Sequence, residues 1–187
     1  MKTQWFISVR MLGLRLVTFG VIFIFLFTST RPIAAQAKPP RMLTGDTYFY
    51  VAEWGGVEIW TMYEIKETDP ISGAAVGTVQ AKVYDPWNGW KSLVFSPECV
   101  NFTAHAVTMV MEIQQKTGEG NGEVGEHAKW QIVDGGSPGR QNDSLTIINY
   151  QEDPWIEYWP VGVAAPSCTS PGTGAPIFVT EGNLTIH

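Results

Sequence analysis

The residues that most resemble a reactive group lie at 135–139, where Gly-Gly-Ser-Pro-Gly matches the G-x-S-x-G pattern around the nucleophilic serine of many hydrolases. That chemistry needs a strand before the serine and a helix after it. An apolar-alternating run precedes Ser137, but a second such run follows it. Pro138 also has no N–H to offer an oxyanion. The pattern therefore favours a structural turn over a catalytic serine, and no catalytic residue is predicted.

Two acidic residues, Asp134 and Asp143, flank the same loop. Oxygen ligands on a loop suit calcium, but this spacing matches no EF-hand. Short polar side chains commonly cap turns, which is the favoured interpretation. His105, His127 and His187 are isolated, and no pair has H-x-x-x-H spacing, so a histidine zinc site is not expected. The sequence predicts no cofactor and no metal, with Asp134 and Asp143 as weak metal candidates.

Several aromatic residues lie in or beside the turn-rich segments 85–90 and 153–160. Exposed aromatic side chains on a β-scaffold can stack on sugar rings or anchor a protein partner. They can also close the ends of a β-fold, and that interpretation is favoured. Carboxylates in the same segments could serve a glycosidase only at a defined separation. The candidate ligand-binding residues are Trp87, Trp90, Trp155, Tyr158 and Trp159.

The elements that would position these residues show the period-two alternation of β-strands. The clearest run, 57–66, places Val57, Ile59, Tyr63 and Ile65 on one face. Runs on either side of the loop after Asp134 predict a hairpin across 130–147, and turn signals separate the other runs. After the first 38 residues no segment has a convincing 3.6-residue period. The sequence therefore predicts an all-β fold, an antiparallel β-sandwich or barrel of about 8–10 strands.

The N-terminus has the layout of a secretory signal peptide: basic residues, an apolar run at 16–27 and an A-x-A-like site at 35–37. The apolar run is shorter than the roughly 20 residues that span a bilayer. An uncleaved membrane anchor is the alternative. The predicted organisation is a helical signal peptide at 1–37, a proline-rich leader at 38–45 and one all-β domain at 46–187.

The charge of the chain bears on its possible partners, and its cysteines bear on the compartment in which it folds. The predicted signal segment contains four basic residues and no acid, which leaves eight basic against 18 acidic residues in the remainder. An acidic domain repels phosphate backbones, so nucleic acid is not an expected partner. The two cysteines, Cys99 and Cys168, would lie in an oxidising compartment after export and are predicted to form a disulfide.

Three short motifs occur in order along the chain. Gly-Thr-Val-Gln-Ala-Lys-Val-Tyr-Asp lies at 77–85, Asp-Gly-Gly-Ser-Pro-Gly at 134–139 with Asp143 and Leu145 after it, and Gly-Asn-Leu-Thr-Ile-His at 182–187. Their order resembles a recurrent all-β module found near the C-terminus of many exported bacterial proteins. The resemblance implies a secreted β-domain, either appended to other modules or standing alone, with no established catalytic role.

The chain departs from that module in three places. Ser137 stands where an acidic residue is common, and the loop is one residue longer before Asp143. The segment 151–180 is much longer than the short turn expected before the last strand. A secreted, non-catalytic structural or interaction module is the favoured function, with a cell-surface glycan or protein as its partner. The alternatives are a carbohydrate-binding module that uses the loop tryptophans, and an extracellular hydrolase.

Overall fold

One curled antiparallel sheet, a half-barrel, makes up the fold. The computed structural model describes residues 39–136, 143–152, 157–170 and 174–187. These ranges contain ten strands and two short 3-10 segments, which confirms the all-β prediction, and no helix in them is long and apolar enough to cross a membrane. The predicted signal segment lies outside the described residues. The strands are β1 (Met42–Val51), β2 (Val57–Asp69), β3 (Ala74–Asp85), β4 (Gly89–Phe102), β5 (Ala106–Thr117), β6 (His127–Val133), β7 (Ser144–Ile148), β8 (Tyr158–Trp159), β9 (Pro176–Phe178) and β10 (Glu181–Ile186).

The strand order follows the chain order from β1 to β7, so most of the sheet is a meander. At the two ends, β10 pairs with β1 and β9 pairs with β7. Val179 and Thr180, which separate β9 from β10, donate their N–H groups to the carbonyls of Asp143 and Tyr48 at 3.0 and 2.8 Å. The last segment of the chain thus connects the two ends of the sheet.

The inner face of the sheet carries the core, because alternate residues of each strand point the same way. In β2, Val57, Ile59, Tyr63 and Ile65 are buried, as their alternation predicts. Thr61 shares their phase and is also buried, while the residues of the opposite phase are partly or fully exposed. The largest fully buried apolar side chains are Tyr63, Phe49, Phe95, Leu43, Ile65, Leu93, Met109, Met111, Ile113, Ile132 and Leu145.

The hairpin predicted across 130–147 is present. Strands β6 and β7 pair in a register that runs from Lys129 opposite Ile148 to Val133 opposite Ser144. Residues 137–142 of its loop lie outside the part of the chain that the structure describes.

Strand β1 begins at Met42, within the segment predicted to be a proline-rich leader. Leu43 is fully buried and pairs with both β2 and β10, so this part of the leader belongs to the sheet.

The long segment between β7 and β9 covers part of the outer face of the sheet. Cys168 forms a disulfide with Cys99 on β4, and their Cα atoms are 6.1 Å apart, within the range that such a bond requires. Lys129 on β6 is 2 % exposed, and its Nζ donates to the carbonyl and the hydroxyl of Ser170 at 2.8 and 3.0 Å. The disulfide and these hydrogen bonds hold residues around 168–170 against the strands.

Two motif glycines mark places where neighbouring strands approach closely. A Cβ atom on Gly77 would lie 1.9 Å from the carbonyl oxygen of Glu64, and one on Gly182 would lie 2.2 Å from that of Asp46. Both residues also have positive φ, +131° and +110°, which side chains other than glycine rarely adopt. The motifs at 77–85 and 182–187 therefore begin with glycine for a steric reason.

Replacing Gly77 by alanine is expected to lower the free energy of unfolding by about 2 kcal/mol, because both backbone strain and the contact with Glu64 oppose the methyl group. Urea denaturation would measure the loss. Gly89→Ala is the matched control, since Gly89 also has positive φ (+77°) but would meet nothing within 4 Å. Equal losses in the two variants would contradict the role of the close approach.

Candidate functional site

A row of aromatic side chains crosses the outer face of the sheet. Tyr48 on β1 packs on Trp60 on β2, with ring centroids 4.7 Å apart, and Trp60 packs on Trp90 on β4 at 5.1 Å. Tyr84 on β3 lies 5.1 Å from Trp90, and Lys82 places its Nζ 4.5 Å from the centroid of the Trp90 ring. We call Tyr48, Trp60, Tyr84 and Trp90 the aromatic row.

Cross-strand register explains why these rings meet. Tyr48 pairs with Trp60, and Tyr84 pairs with Trp90 one step along the same face. Lys82 pairs with Trp60 and thus lies between the two pairs. Directly opposed residues and their diagonal neighbours lie within reach of aromatic side chains. Residues from four strands therefore form one continuous surface, although their positions along the chain are far apart.

A groove of about 460 Å³ runs across the strands beside the aromatic row. Its length corresponds to three strand spacings, about 14 Å. The backbone between the two walls forms its floor, because the intervening side chains point into the core. One wall consists of Tyr48, Trp60, Lys82 and Ser92; the other consists of Asp46, Met62, Gln80 and Val94, and Glu181 and Gly182 of β10 complete the lining.

The groove combines apolar rings with exposed polar and charged groups. Asp46, Gln80, Lys82 and Glu181 are all exposed, so their charges and hydrogen-bonding groups face solvent. The Trp90 side chain is 47 % exposed although it contacts two other rings. This arrangement leaves ring faces and edges available for contact with a ligand, with both donors and acceptors nearby.

The loop aromatics predicted from the sequence separate into different environments. Trp87 is 74 % exposed at the turn between β3 and β4, where its ring lies against Gly55. Trp90 belongs to the aromatic row. Tyr158 is buried and part of the core, so it is not a surface ligand contact. Trp159 is half-buried and packs edge-on against Tyr150 at 5.7 Å, and Trp155 lies outside the described residues. The structure thus does not bring the four described residues, Trp87, Trp90, Tyr158 and Trp159, together into one surface.

The acidic residues of the β6–β7 loop act as turn acceptors. Asp134 accepts from the N–H of Gly136 at 2.9 Å, and Asp143 accepts from the N–H of Gly135 at 2.8 Å. Asp143 is fully buried, and the carbonyl of its backbone holds the N–H of Val179. Ser137 lies outside the described residues. The bond from Gly136 to Asp134 spans two residues, as in turn capping, whereas Asp143 accepts across the loop and Asp134 also accepts from the N–H of Ile186 on β10 at 3.4 Å.

A second set of polar groups lies at one end of the core. Lys91 is 8 % exposed and donates to the carbonyl of Asn121 at 3.1 Å. Burial lowers the pKa of Lys91 and raises the pKa of Glu157, which lines the same cavity. That cavity measures about 90 Å³, whereas ligand pockets measure roughly 300–1,000 Å³. The size suits a few water molecules better than a substrate.

Sequence reasoning missed Tyr48, Trp60 and Tyr84 as members of a surface. The available signal was their phase: Trp60 lies out of phase with Val57, Ile59 and the other buried positions of β2, so alternation alone places it on the outer face. An outward tryptophan in a clean strand pattern is unusual enough to mark a contact surface. Its partners on other strands depend on register, which the sequence does not display.

No protein family, curated protein or solved structure matches this chain. The functional argument therefore rests on the geometry of the described residues. The groove beside the aromatic row measures about 460 Å³, against about 90 and 300 Å³ for two other cavities, and it combines aromatic rings with exposed polar groups.

Proposed function

We propose that this chain is a secreted, non-catalytic binding module that holds an oligosaccharide in the groove across β1 to β4. The observation that carries the proposal is the pair of rings on one wall of an open groove, Tyr48 and Trp60. The exposed Trp90 packs on Trp60 and extends this aromatic surface beyond the groove. Contiguous aromatic surface rimmed by polar groups commonly marks a binding site.

The chemistry of the groove suits a sugar chain. The C–H faces of pyranose rings are apolar and stack on aromatic rings, while their hydroxyl groups need both donors and acceptors. Trp60 and Trp90 supply the rings. Asp46, Gln80 and Lys82, which are exposed in or beside the walls, supply acceptors and donors. The open length of about 14 Å suits several linked rings rather than one.

A binding role is favoured over catalysis because the charged groups of the groove are solvated. Glycosidases use one carboxylic acid whose pKa is raised by its surroundings. The two carboxylates that line the groove, Asp46 and Glu181, are exposed to solvent. Glu157, whose pKa burial does raise, lies away from the groove and lines two other cavities, of about 90 and 300 Å³.

An exported module is supported by three features. The N-terminal segment is typical of a signal peptide, the disulfide fits an oxidising compartment, and the chain after residue 37 is acidic. The resemblance of the motifs at 77–85, 134–139 and 182–187 to a C-terminal module of exported bacterial proteins points the same way. A carbohydrate-binding module beside a cell surface fits this setting.

Trp60→Ala and Trp90→Ala are each expected to weaken oligosaccharide binding about tenfold or more, because central aromatic contacts commonly contribute over 1 kcal/mol. A glycan array with the purified protein would identify the sugar class. Affinity electrophoresis through gels that contain soluble glucans, mannans, xylan or chitin oligosaccharides would then compare the variants.

Trp87→Ala provides the matched control, because Trp87 is an exposed tryptophan that neither lines the groove nor packs on a ring of the aromatic row. Its variant is expected to bind like the unaltered protein. Loss of binding in Trp87→Ala alone would move the site to the turn between β3 and β4. No retardation on any polysaccharide, or equal binding by all three variants, would overturn the proposal.

A further inference from the structure

Three side chains with metal-binding atoms converge on the outer face of β4, β5 and β6, away from the groove. One ligand atom each from Glu98, Glu112 and His127 lies within 4.8 Å of the others. Glu112 and His127 are direct cross-strand partners, and His127 in turn pairs with Trp159 on β8. Within 39–136, 143–152, 157–170 and 174–187, this is the one group of three such residues.

A β-bulge explains how Glu98 reaches the other two. The register between β4 and β5 shifts between Pro97 and Cys99, so Glu98 is the extra residue. The burial pattern changes phase there: Pro97 and Val100 are buried, while Glu98 and Cys99 both lie on the outer side. Bulges commonly re-aim a side chain beside a functional site. The disulfide at Cys99 fixes the backbone next to it.

The negative charges of Glu98 and Glu112 favour a bound cation. Glu98 and Glu112 form no ion pair with any lysine or arginine among the described residues, and the contact that Glu98 makes is to His127. Two carboxylates held this close on rigid strands repel each other unless a proton or a cation lies between them. A metal ion would remove that repulsion and satisfy both oxygens.

The distances are those of ligands around one ion. His127 Nε2 lies 3.2 Å from Glu98 Oε1. Two ligand atoms on a tetrahedral zinc ion, bonded at 2.0–2.2 Å, are about 3.4 Å apart. The imidazole is only 13 % exposed, and its Nδ1 is buried without a hydrogen-bond partner among the described residues. Nε2 is therefore the ring nitrogen that faces Glu98, and it is the atom that would bind the ion.

We propose that Glu98, Glu112 and His127 form a binding site for a divalent transition-metal ion, with zinc favoured. One imidazole and two carboxylates suit zinc better than calcium, which takes six to eight oxygen ligands. Three protein ligands leave at least one position for water. The ion would join three strands beside the disulfide, and it takes no part in the groove chemistry.

Titration of the purified protein with zinc chloride, followed by calorimetry, is expected to show one ion per chain. At zinc concentrations about 100-fold above the dissociation constant, Tm is expected to rise by roughly 8 °C, because zinc binds the folded form alone. Calcium chloride at the same concentrations is expected to leave Tm unchanged. Zinc affinity is expected to fall on acidification, because the ligands must be deprotonated.

Glu112→Gln and His127→Gln are each expected to weaken zinc binding at least tenfold, and Glu64→Gln, an exposed outer-face carboxylate on β2, is expected to bind normally. The ¹⁵N resonances of the His127 ring should shift on zinc addition, which reports the ligand directly even if one variant is less stable. The absence of saturable zinc binding, or affinity that survives both ligand substitutions, would overturn the site.

Discussion

Replacing Cys99 and Cys168 together by serine is expected to lower the free energy of unfolding by about 4 kcal/mol. The bond closes a loop with a sequence separation of 69 residues, and on the chain-entropy model a loop of this length confers a stabilisation of that size. Urea denaturation of the unreduced protein and of the double variant would measure the difference, with the midpoint and the slope compared separately.

A local effect is expected to accompany the global loss. The bond holds Cys168 and its neighbours on the outer face of the sheet, where Ser170 accepts two hydrogen bonds from the buried Lys129. Without the bond, this segment separates from the sheet more readily, and the Lys129 ammonium group becomes exposed to solvent. Hydrogen exchange should therefore increase around residues 160–170 at denaturant concentrations where the core strands stay protected.

Chemical reduction of the unaltered protein is the control, since it breaks the same bond without changing any side chain. It should reproduce the midpoint of the double variant. Thiol titration of the denatured, unreduced protein should find no free thiol. Two reactive thiols in that assay, or a double variant as stable as the oxidised protein, would contradict the expectation.

The fold followed from local patterns wherever one face of a strand is buried. Alternation at Val57, Ile59, Tyr63 and Ile65 predicted β2 and its inward face, because the side-chain period of a strand is two. The β6–β7 hairpin followed from two apolar runs and a glycine-rich loop, and its pairing is present. These features are encoded within ten to twenty residues, so one sequence displays them.

The candidate sites could not be predicted in the same way, because each depends on pairing between distant strands. Trp60 meets Trp90 only after β2, β3 and β4 align. Glu98, Glu112 and His127 have no recognisable spacing along the chain, and a single bulged residue brings the first of them to the other two. Register and bulges arise from the whole sheet, and no local motif marks them.

An inward-facing charge on β2 gives another example of this limit. Glu67 continues the buried phase of Ile65 and is 1 % exposed, whereas composition would place a glutamate outside. Its partner is Arg41, a residue in the predicted leader, whose Nε and Nη2 donate to the carboxylate at 3.2 and 3.3 Å. Arg41 of the predicted leader is therefore a structural residue. Its ion pair with Glu67 holds the chain just before β1 against the end of β2.

Replacing Arg41 by methionine is expected to lower the free energy of unfolding by about 3 kcal/mol, because removing one partner of a buried pair leaves an uncompensated charge. Arg41 also donates to the carbonyl of Phe102 and lies over its ring, with 5.1 Å between the guanidinium carbon and the ring centroid. The loss thus includes contacts to the end of β4. Urea denaturation at neutral pH would measure it.

Lys66→Met is the matched control, because it removes a cation from an exposed position next to Glu67 and should change stability by no more than about 0.5 kcal/mol. Combining Arg41→Met with Glu67→Met should recover much of the loss, since an apolar pair leaves no buried charge. A double variant no more stable than Arg41→Met would show that the Phe102 contacts, rather than the charge on Glu67, account for the stabilisation.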